Sequence, residues 1–246
     1  MKYRIIIFFT FLSLMGFSNT HLDSLFITAN AHYQTEKYAE AIDNYQTILD
    51  SNYYSFELYF NLANTNYQFG KIPLSIYYYE KALQIKKDKN ALNNLALAQN
   101  RITLIEPIPQ LFYIKWWNNI TNQLSLKIWS VLLITGIWLS SFFLILFIKN
   151  RKKWKFNGLL LSIIITFLMG AQMYNANIQQ NKVYGIILKE AKLFDDNINY
   201  QSSGNVDRGN KVLILDESED MFLIKLLDGQ SGWVEKNRIK SLEIYQ

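Results

Sequence analysis

Side chains that commonly carry out chemistry are scarce in this sequence. Cysteine is absent, and the only two histidines are His21 and His32. Thiol chemistry, a His-based catalytic triad and a Cys/His metal site are therefore not expected, and no cofactor is implied. The acidic groups at Asp195-Asp196 and at 217–220 fall in predicted turns, where solvated charge is the ordinary state. Gly-rich phosphate loops are also missing. We predict that the protein is not an enzyme.

A different set of residues recurs at an offset of 34 positions between about Leu22 and Ile105, where polarity has a helical period. Such a period predicts stacked helix–turn–helix units. Two full units fit, and a third helix over Asn90–Ile102 either begins another unit or caps the array. The identical pairs are Ala29/Ala63, Asn30/Asn64, Tyr33/Tyr67, Gln34/Gln68, Lys37/Lys71, Ile42/Ile76, Tyr45/Tyr79 and Leu49/Leu83.

Residues 29–34 and 37–45 of these units resemble the tetratricopeptide repeat (TPR) family. The resemblance implies that residues 19–106 form α-helical TPR hairpins with a concave groove. Either this groove binds a peptide through aromatic contacts and amide hydrogen bonds, or its residues only fill a short superhelix. A TPR that clamps a free carboxylate needs Lys at two of these positions, and Phe26 and Phe60 stand there instead. The implied groove residues are Phe26, Asn30, Tyr33, Gln34, Phe60, Asn64, Tyr67 and Gln68.

Two uncharged apolar runs follow, at 128–148 and 156–174. The first has 21 residues and as a helix spans about 32 Å, roughly the hydrocarbon thickness of a bilayer. A buried hairpin of a soluble protein is the alternative, but soluble cores rarely need two such runs. We therefore predict a two-helix transmembrane anchor.

The loop at 149–155 carries five positive charges and no acid, which predicts that it is cytoplasmic and that both flanks are outside. These topology determinants are Lys149, Arg151, Lys152, Lys153 and Lys155.

Three other segments complete this membrane interpretation. Residues 1–18 contain two basic residues, a short apolar run and small residues, as in a signal peptide. Residues 107–127 form a juxtamembrane linker with prolines and aromatics, whose stretch at 111–117 either lies in the membrane interface, which we favour, or contacts a partner. Residues 175–181 are a polar linker.

Residues 182–246 change to the alternation and turn signals of strands, with runs at 183–188, 211–215, 221–226 and 232–234. Ser203-Gly204-Asn205 is interpreted as a turn. The elements at 192–194, 206–212 and 227–234 resemble the bacterial SH3 family, which implies a small all-β SH3-like barrel. Trp233 in its closing strand is either a ligand platform or, as we favour, a core residue.

The distribution of charge argues against nucleic acid as a partner. Residues 107–181 hold seven basic residues and no acidic residue, whereas acidic residues outnumber basic ones in both 19–106 and 182–246. The excess of positive charge therefore belongs to the membrane flanks and offers no basic groove for phosphates.

The order of leader, repeats, two-helix anchor and SH3-like barrel resembles the BatE-type proteins of the Bacteroides aerotolerance (Bat) operon. The resemblance implies a multidomain, non-enzymatic scaffold of the bacterial inner membrane with both soluble parts in the periplasm. Its implied partners are other Bat membrane proteins, some with von Willebrand factor A domains. The system they imply is associated with oxygen or envelope stress. A peptidoglycan-binding module is the alternative function.

Overall fold

The computed structural model describes residues 20–109, 111–195 and 202–243. The predicted signal peptide at 1–18 therefore lies outside the described residues, as does Asp196. The described chain divides into two compact units. We call the one made of 20–106 with 184–243 the repeat–sheet unit and the one made of 107–183 the hairpin unit.

Five helices form the first part of the repeat–sheet unit. They are α1 (Thr20–Gln34), α2 (Tyr38–Asp50), α3 (Phe56–Gln68), α4 (Ile72–Ile85) and α5 (Lys89–Gln99). The turns that close α1 and α3 are equivalent. Glu36 and Gly70, which are 34 positions apart, both have positive φ angles, 59° and 82° respectively. The backbone N–H of the next residue then bonds a carbonyl five positions earlier in each turn. The predicted repeat is thus visible in backbone geometry.

Local sequence sets where these helices begin. The side chains of Ser55 and Asp88 accept hydrogen bonds from backbone N–H groups in the first turns of α3 and α5. Such caps satisfy donors that have no partner inside the helix. Pro73 stands in the first turn of α4, where its missing N–H costs little. The third repeat helix is shorter than predicted, because it ends at Gln99 rather than Ile102.

The second part of this unit is a seven-stranded sheet in the order β3-β2-β6-β5-β4-β1-β7. Every pairing for which a register is resolved is antiparallel. The strands are β1 (Val183–Ile187), β2 (Ala191–Phe194), β3 (Ser202–Val206), β4 (Lys211–Glu217), β5 (Met221–Lys225), β6 (Ser231–Glu235) and β7 (Ile239–Ser241).

One expectation about this sheet is wrong. Ser203-Gly204-Asn205 is not a turn but lies in β3, where Gly204 pairs with Leu193 and Asn205 with Lys192. The composition of this strand is that of a turn, but pairing with β2 supplies its backbone partners.

Two buried hydrophobic clusters each combine residues of the helical region and of the sheet region. Ile186 and Leu242 of the sheet region belong to the buried cluster centred on the tyrosines of α4, and Ile105, beyond α5, packs on the core of the sheet. The two regions, far apart in sequence, therefore pack together in one compact unit.

The hairpin unit holds α6 (Phe112–Thr121), α7 (Leu126–Lys149) and α8 (Lys153–Gln180). Both α7 and α8 are long and apolar enough to cross a membrane, by length and composition. The predicted polar linker at 175–181 is helical as far as Gln180. Polar residues continue the helix there because α6 supplies hydrogen-bond partners to Asn175.

Candidate functional site

The same hydrogen-bond arrangement occurs at equivalent places in the two repeat units. In the first, Oδ1 of Asn30 accepts from the Tyr45 hydroxyl at 2.5 Å and from the Asn61 amide at 2.9 Å. This asparagine lies on the first helix of its unit, the tyrosine on the second, and the amide donor on the next helix of the array. Each set therefore links three helices at the face where the groove is expected.

In the second unit, Oδ1 of Asn64 accepts from the Tyr79 hydroxyl at 2.5 Å and from the Asn94 amide at 3.0 Å. Both tyrosines belong to the core, where burial raises the pKa of each phenol to about 12. They remain neutral donors at physiological pH. The two asparagine oxygens are thereby occupied by internal bonds.

A cavity of about 240 Å³ opens beside the second of these sets. Its lining combines phenol, amide and aliphatic groups and contains no charged side chain. The guanidinium of Arg101 stands over the Tyr67 ring, 5.0 Å from its centroid. The lining residues are Tyr33, Asn64, Tyr67, Gln68, Tyr79, Asn94 and Leu97.

Four of the eight predicted groove residues, Tyr33, Asn64, Tyr67 and Gln68, therefore meet at one cavity. The other four do not line it. Asn30 lies in the first hydrogen-bond set, Gln34 is exposed, and Phe26 and Phe60 pack against the rings of Tyr45 and Tyr79 at centroid distances of 5.8 and 6.0 Å.

Sequence reasoning missed three lining residues, Tyr79, Asn94 and Leu97. Tyr79 carried a usable signal, because it repeats Tyr45 at the offset of 34 and follows an asparagine by 15 positions in both units. The other two lie on α5, a single helix that follows the two full units, and the offset of 34 pairs neither with an identical residue. Only the packing of α5 on α4 brings them to the cavity.

Charged and aromatic side chains join α4 to the end of the sheet. Lys211 and Glu80 form an ion pair at 2.7 Å. The ammonium of Lys240 stands 4.7 Å from the ring centroid of Tyr77, and burial lowers the pKa of Lys240. Lys81, whose pKa is also lowered by burial and then by Lys240, donates to the backbone carbonyl of Glu243. These contacts fix the sheet on the helices.

A buried amide completes this junction. Asn210, 1% exposed, accepts from the Ile105 backbone N–H at 2.8 Å and donates to the Thr103 carbonyl at 3.1 Å. The neighbouring Gly209 has a positive φ of 88°, and a side chain there would overlap Ile102. The turn before β4 therefore packs closely against the segment that follows α5.

Trp233 is not part of the sheet's core. Its neighbours Gly232 and Val234 are buried, whereas Trp233 lies on the opposite face of β6 and is partly exposed, beside Phe194 and Leu223 of the adjacent strands. Side chains alternate between the two faces of β6, and the packing of the sheet puts the face of Val234, not that of Trp233, against the core.

The predicted topology determinants lie together at one end of the hairpin unit. Lys149 ends α7, Arg151 and Lys152 connect the helices, and α8 begins at Lys153. Lys155 donates from Nζ to the Leu146 carbonyl at 3.1 Å. Among the described residues, no group of three or more His, Cys, Asp or Glu could hold a metal ion.

No protein-family model matches the chain, and no curated protein matches its sequence.

Proposed function

We propose that this protein is a non-enzymatic membrane scaffold whose TPR-type groove holds an extended peptide segment of another membrane protein. The observation that carries the proposal is the cavity at Tyr33, Asn64, Tyr67 and Gln68. Amide and phenol groups can bond both the N–H and the C=O of a peptide backbone. Internal bonds to Asn64 hold the cavity wall in place before a ligand binds, which lowers the entropy cost of binding.

Site-specific photocrosslinking in living cells tests this groove. A photoreactive amino acid at Gln68, exposed at the cavity, is expected to trap a membrane protein, whereas one at Asn93, exposed on α5 outside the cavity, is expected to trap none. Tyr33→Ala together with Tyr67→Ala is expected to abolish the product. Equal products from both positions, or none from Gln68, would contradict the proposal.

The groove test avoids changing Asn64, since its oxygen accepts from Tyr79 and Asn94. Loss of binding in an Asn64 variant would therefore not separate a lost contact from a distorted groove.

We further propose that α7 and α8 cross the bacterial inner membrane, with 149–155 cytoplasmic and the repeat–sheet unit in the periplasm. Two features support this topology. The five basic residues lie at the turn of the hairpin, and the sequences on either side of the hairpin fold into one core. An even number of crossings returns the chain to the side from which it started, as this shared core requires.

Reporter fusions test the topology. Fusions at positions 100, 152 and 246 are expected to read outside, inside and outside. Any other pattern would contradict the arrangement, and it would leave the groove experiment interpretable, because that experiment reads proximity and not sidedness.

The setting that we propose is a Bat-type complex associated with aerotolerance or envelope stress, with other Bat membrane proteins as partners, including those with von Willebrand factor A domains. The domain order and the packing of the TPR-like and SH3-like parts into one compact unit support a scaffold. Identification of the Gln68 crosslink by mass spectrometry tests the partner directly.

Peptidoglycan binding by the SH3-like sheet is the second candidate function. It is favoured by the partial exposure of Trp233, since an exposed ring can stack on a sugar face. Co-sedimentation of the detergent-solubilised full chain with sacculi is the test, because an isolated sheet would expose Ile186 and Leu242. Trp233→Ala should abolish sedimentation and Trp154→Ala, in the first turn of α8, should not. No sedimentation of the unaltered chain would remove this candidate.

A further inference from the structure

Hydrogen bonds fix α6 to α8 along one side of the short helix. Asn175 of α8 donates from Nδ2 to Oδ1 of Asn118 at 3.1 Å and to Oγ1 of Thr121 at 2.8 Å. The Thr121 hydroxyl donates in turn to Oε1 of Gln172, and both of these side chains are at least 96% buried. Because these buried polar groups satisfy one another, α6 has a defined position on the hairpin.

The contacts lie at one end of the hairpin, where the apolar run of α7 starts and that of α8 stops. On α7, the indole N–H of Trp129, at the start of the run, donates to the Thr121 carbonyl at 3.2 Å. On α8, Asn175 comes 19 residues after Phe156, the first residue of the other run. This separation corresponds to about 28 Å of helix, close to the hydrocarbon thickness of a bilayer. Both helices therefore hold α6 at the level of the lipid headgroups.

The side of α6 that faces away from these bonds is aromatic. Phe112, Tyr113 and Trp116 are 84%, 54% and 61% exposed, and Lys115 is the helix's one charged residue. Acidic residues are absent from 107–181. Aromatic rings favour the headgroup region, and a lysine can place its ammonium among anionic headgroups while its stem stays in apolar surroundings.

We propose that the exposed face of α6 is a lipid-binding surface, which inserts Phe112 and Trp116 between the headgroups of the outer leaflet and places Lys115 against their phosphates. This inference rests on the proposed membrane crossing of α7 and α8. It adds a third attachment to the bilayer. The helix that joins the repeats to the membrane anchor is thus itself held at the surface.

The absence of cysteine makes a direct test available. Phe112→Cys and Trp116→Cys are made separately in the full chain, spin-labelled and reconstituted in vesicles of phosphatidylethanolamine and phosphatidylglycerol. Collision rates with oxygen, which concentrates in lipid, and with a water-soluble nickel chelate are then measured. Phe167→Cys in the apolar run of α8 serves as the lipid reference, and Gln230→Cys in an exposed turn of the sheet serves as the water reference.

The expected ratio of oxygen to nickel collisions at both α6 positions is several-fold above that at Gln230→Cys, and lies between the two references. A water-like ratio would overturn the inference, and so would protection from both reagents, which would indicate a protein partner on this face. If Phe167→Cys itself reads as water, the proposed membrane crossing fails. A lipid-like Phe167→Cys with water-like α6 positions refutes only the role of α6.

Discussion

Helix α4 in the repeat–sheet unit has eight buried residues among 14, whereas α7 in the hairpin unit has only two, Trp129 and Gly136, among 24. Yet α7 is the more apolar helix. In the first unit apolar groups are buried and polar groups such as Asn64 and Asn210 are paired inside. In the second, many apolar side chains are exposed, and polar groups such as Thr121 and Gln172 are paired within the unit. This inversion is expected when the surroundings of one unit are water and those of the other are lipid.

The largest effect is expected from removing the sheet. A chain ending at Asn181 leaves the aromatic face of α4, including Tyr77 and Tyr78, without its cover from the sheet. We expect helices α1–α5 to lose most of their protection from amide hydrogen exchange. The amides of α7 and α8 provide the internal control, because the hairpin unit has its own contacts. Unchanged protection in α1–α5 would show that the helices do not depend on the sheet.

A single buried amide at the junction should have the next largest effect. Asn210→Ala leaves the Ile105 N–H and the Thr103 carbonyl without their partner. We expect the free energy of unfolding of the repeat–sheet unit to fall by about 2–4 kcal/mol. This free energy is measured by unfolding in urea, with amide hydrogen exchange as the readout. The control Asn205→Ala, at an exposed position of β3, should change it by less than about 0.5 kcal/mol.

Removal of one groove hydroxyl should cost less. Tyr79→Phe leaves the oxygen of Asn64 with the Asn94 amide as its remaining donor from these two side chains. The expected loss is about 1–2 kcal/mol, measured in the same way. Tyr53→Phe removes a hydroxyl from a half-exposed ring and is the matched control. Equal effects of the two variants would contradict the structural role of the Asn64 set.

The corresponding change in the hairpin unit sharpens the comparison. Gln172→Leu removes one acceptor of the Thr121 hydroxyl, which keeps the Trp117 carbonyl as an acceptor and the Asn175 amide as a donor. Hydrogen bonds between membrane helices contribute about 0.6 kcal/mol on average, so we expect a loss of about 1 kcal/mol or less in unfolding of the reconstituted hairpin. Ser141→Ala, whose hydroxyl bonds a carbonyl of its own helix, is the control. A loss as large as that for Asn210→Ala would remove the distinction between the units.

The smallest effect at neutral pH comes from titration of the buried phenols. Folding raises the pKa of Tyr45 and Tyr79 from 10.0 to about 12. Their contribution to stability is fully present below pH 10 and is lost as the pH rises from 10.0 towards about 12. We expect a falling melting temperature of the repeat–sheet unit in that range, with a shallower fall in Tyr79→Phe.

The titration of Lys81 changes the stability in the opposite direction. Burial lowers its pKa from 10.5, so the cost of burying its charge disappears as the pH rises towards that value. Lys81→Met is therefore expected to steepen the net loss of stability as the pH rises towards 10.5, because it removes the opposing contribution, which stops changing above that pH. An identical pH dependence of the variant and the unaltered chain would contradict this assignment.

The coarse architecture could be predicted because it depends on local patterns. The repeat at 34, the two uncharged runs and the change to strand composition each lie within a continuous stretch of sequence, and the order of helices, long apolar helices and strands is confirmed. Four of the residues that line the cavity could also be named, because their positions follow from the repeat. Asn94 and Leu97 could not, since no repeat relation marks them.

By itself the sequence determined the helical region with its offset of 34, the two apolar helices and the clustering of positive charge between them, because periodicity, length and charge are properties of neighbouring residues. Only the tertiary structure decided that Ser203-Gly204-Asn205 is a strand, that Trp233 lies outside the core of the sheet, and that the helices and the sheet are one body. Each of these depends on contacts between residues distant in the chain. Such contacts are selected by the fit of side chains and the pairing of backbone groups, which no local pattern encodes.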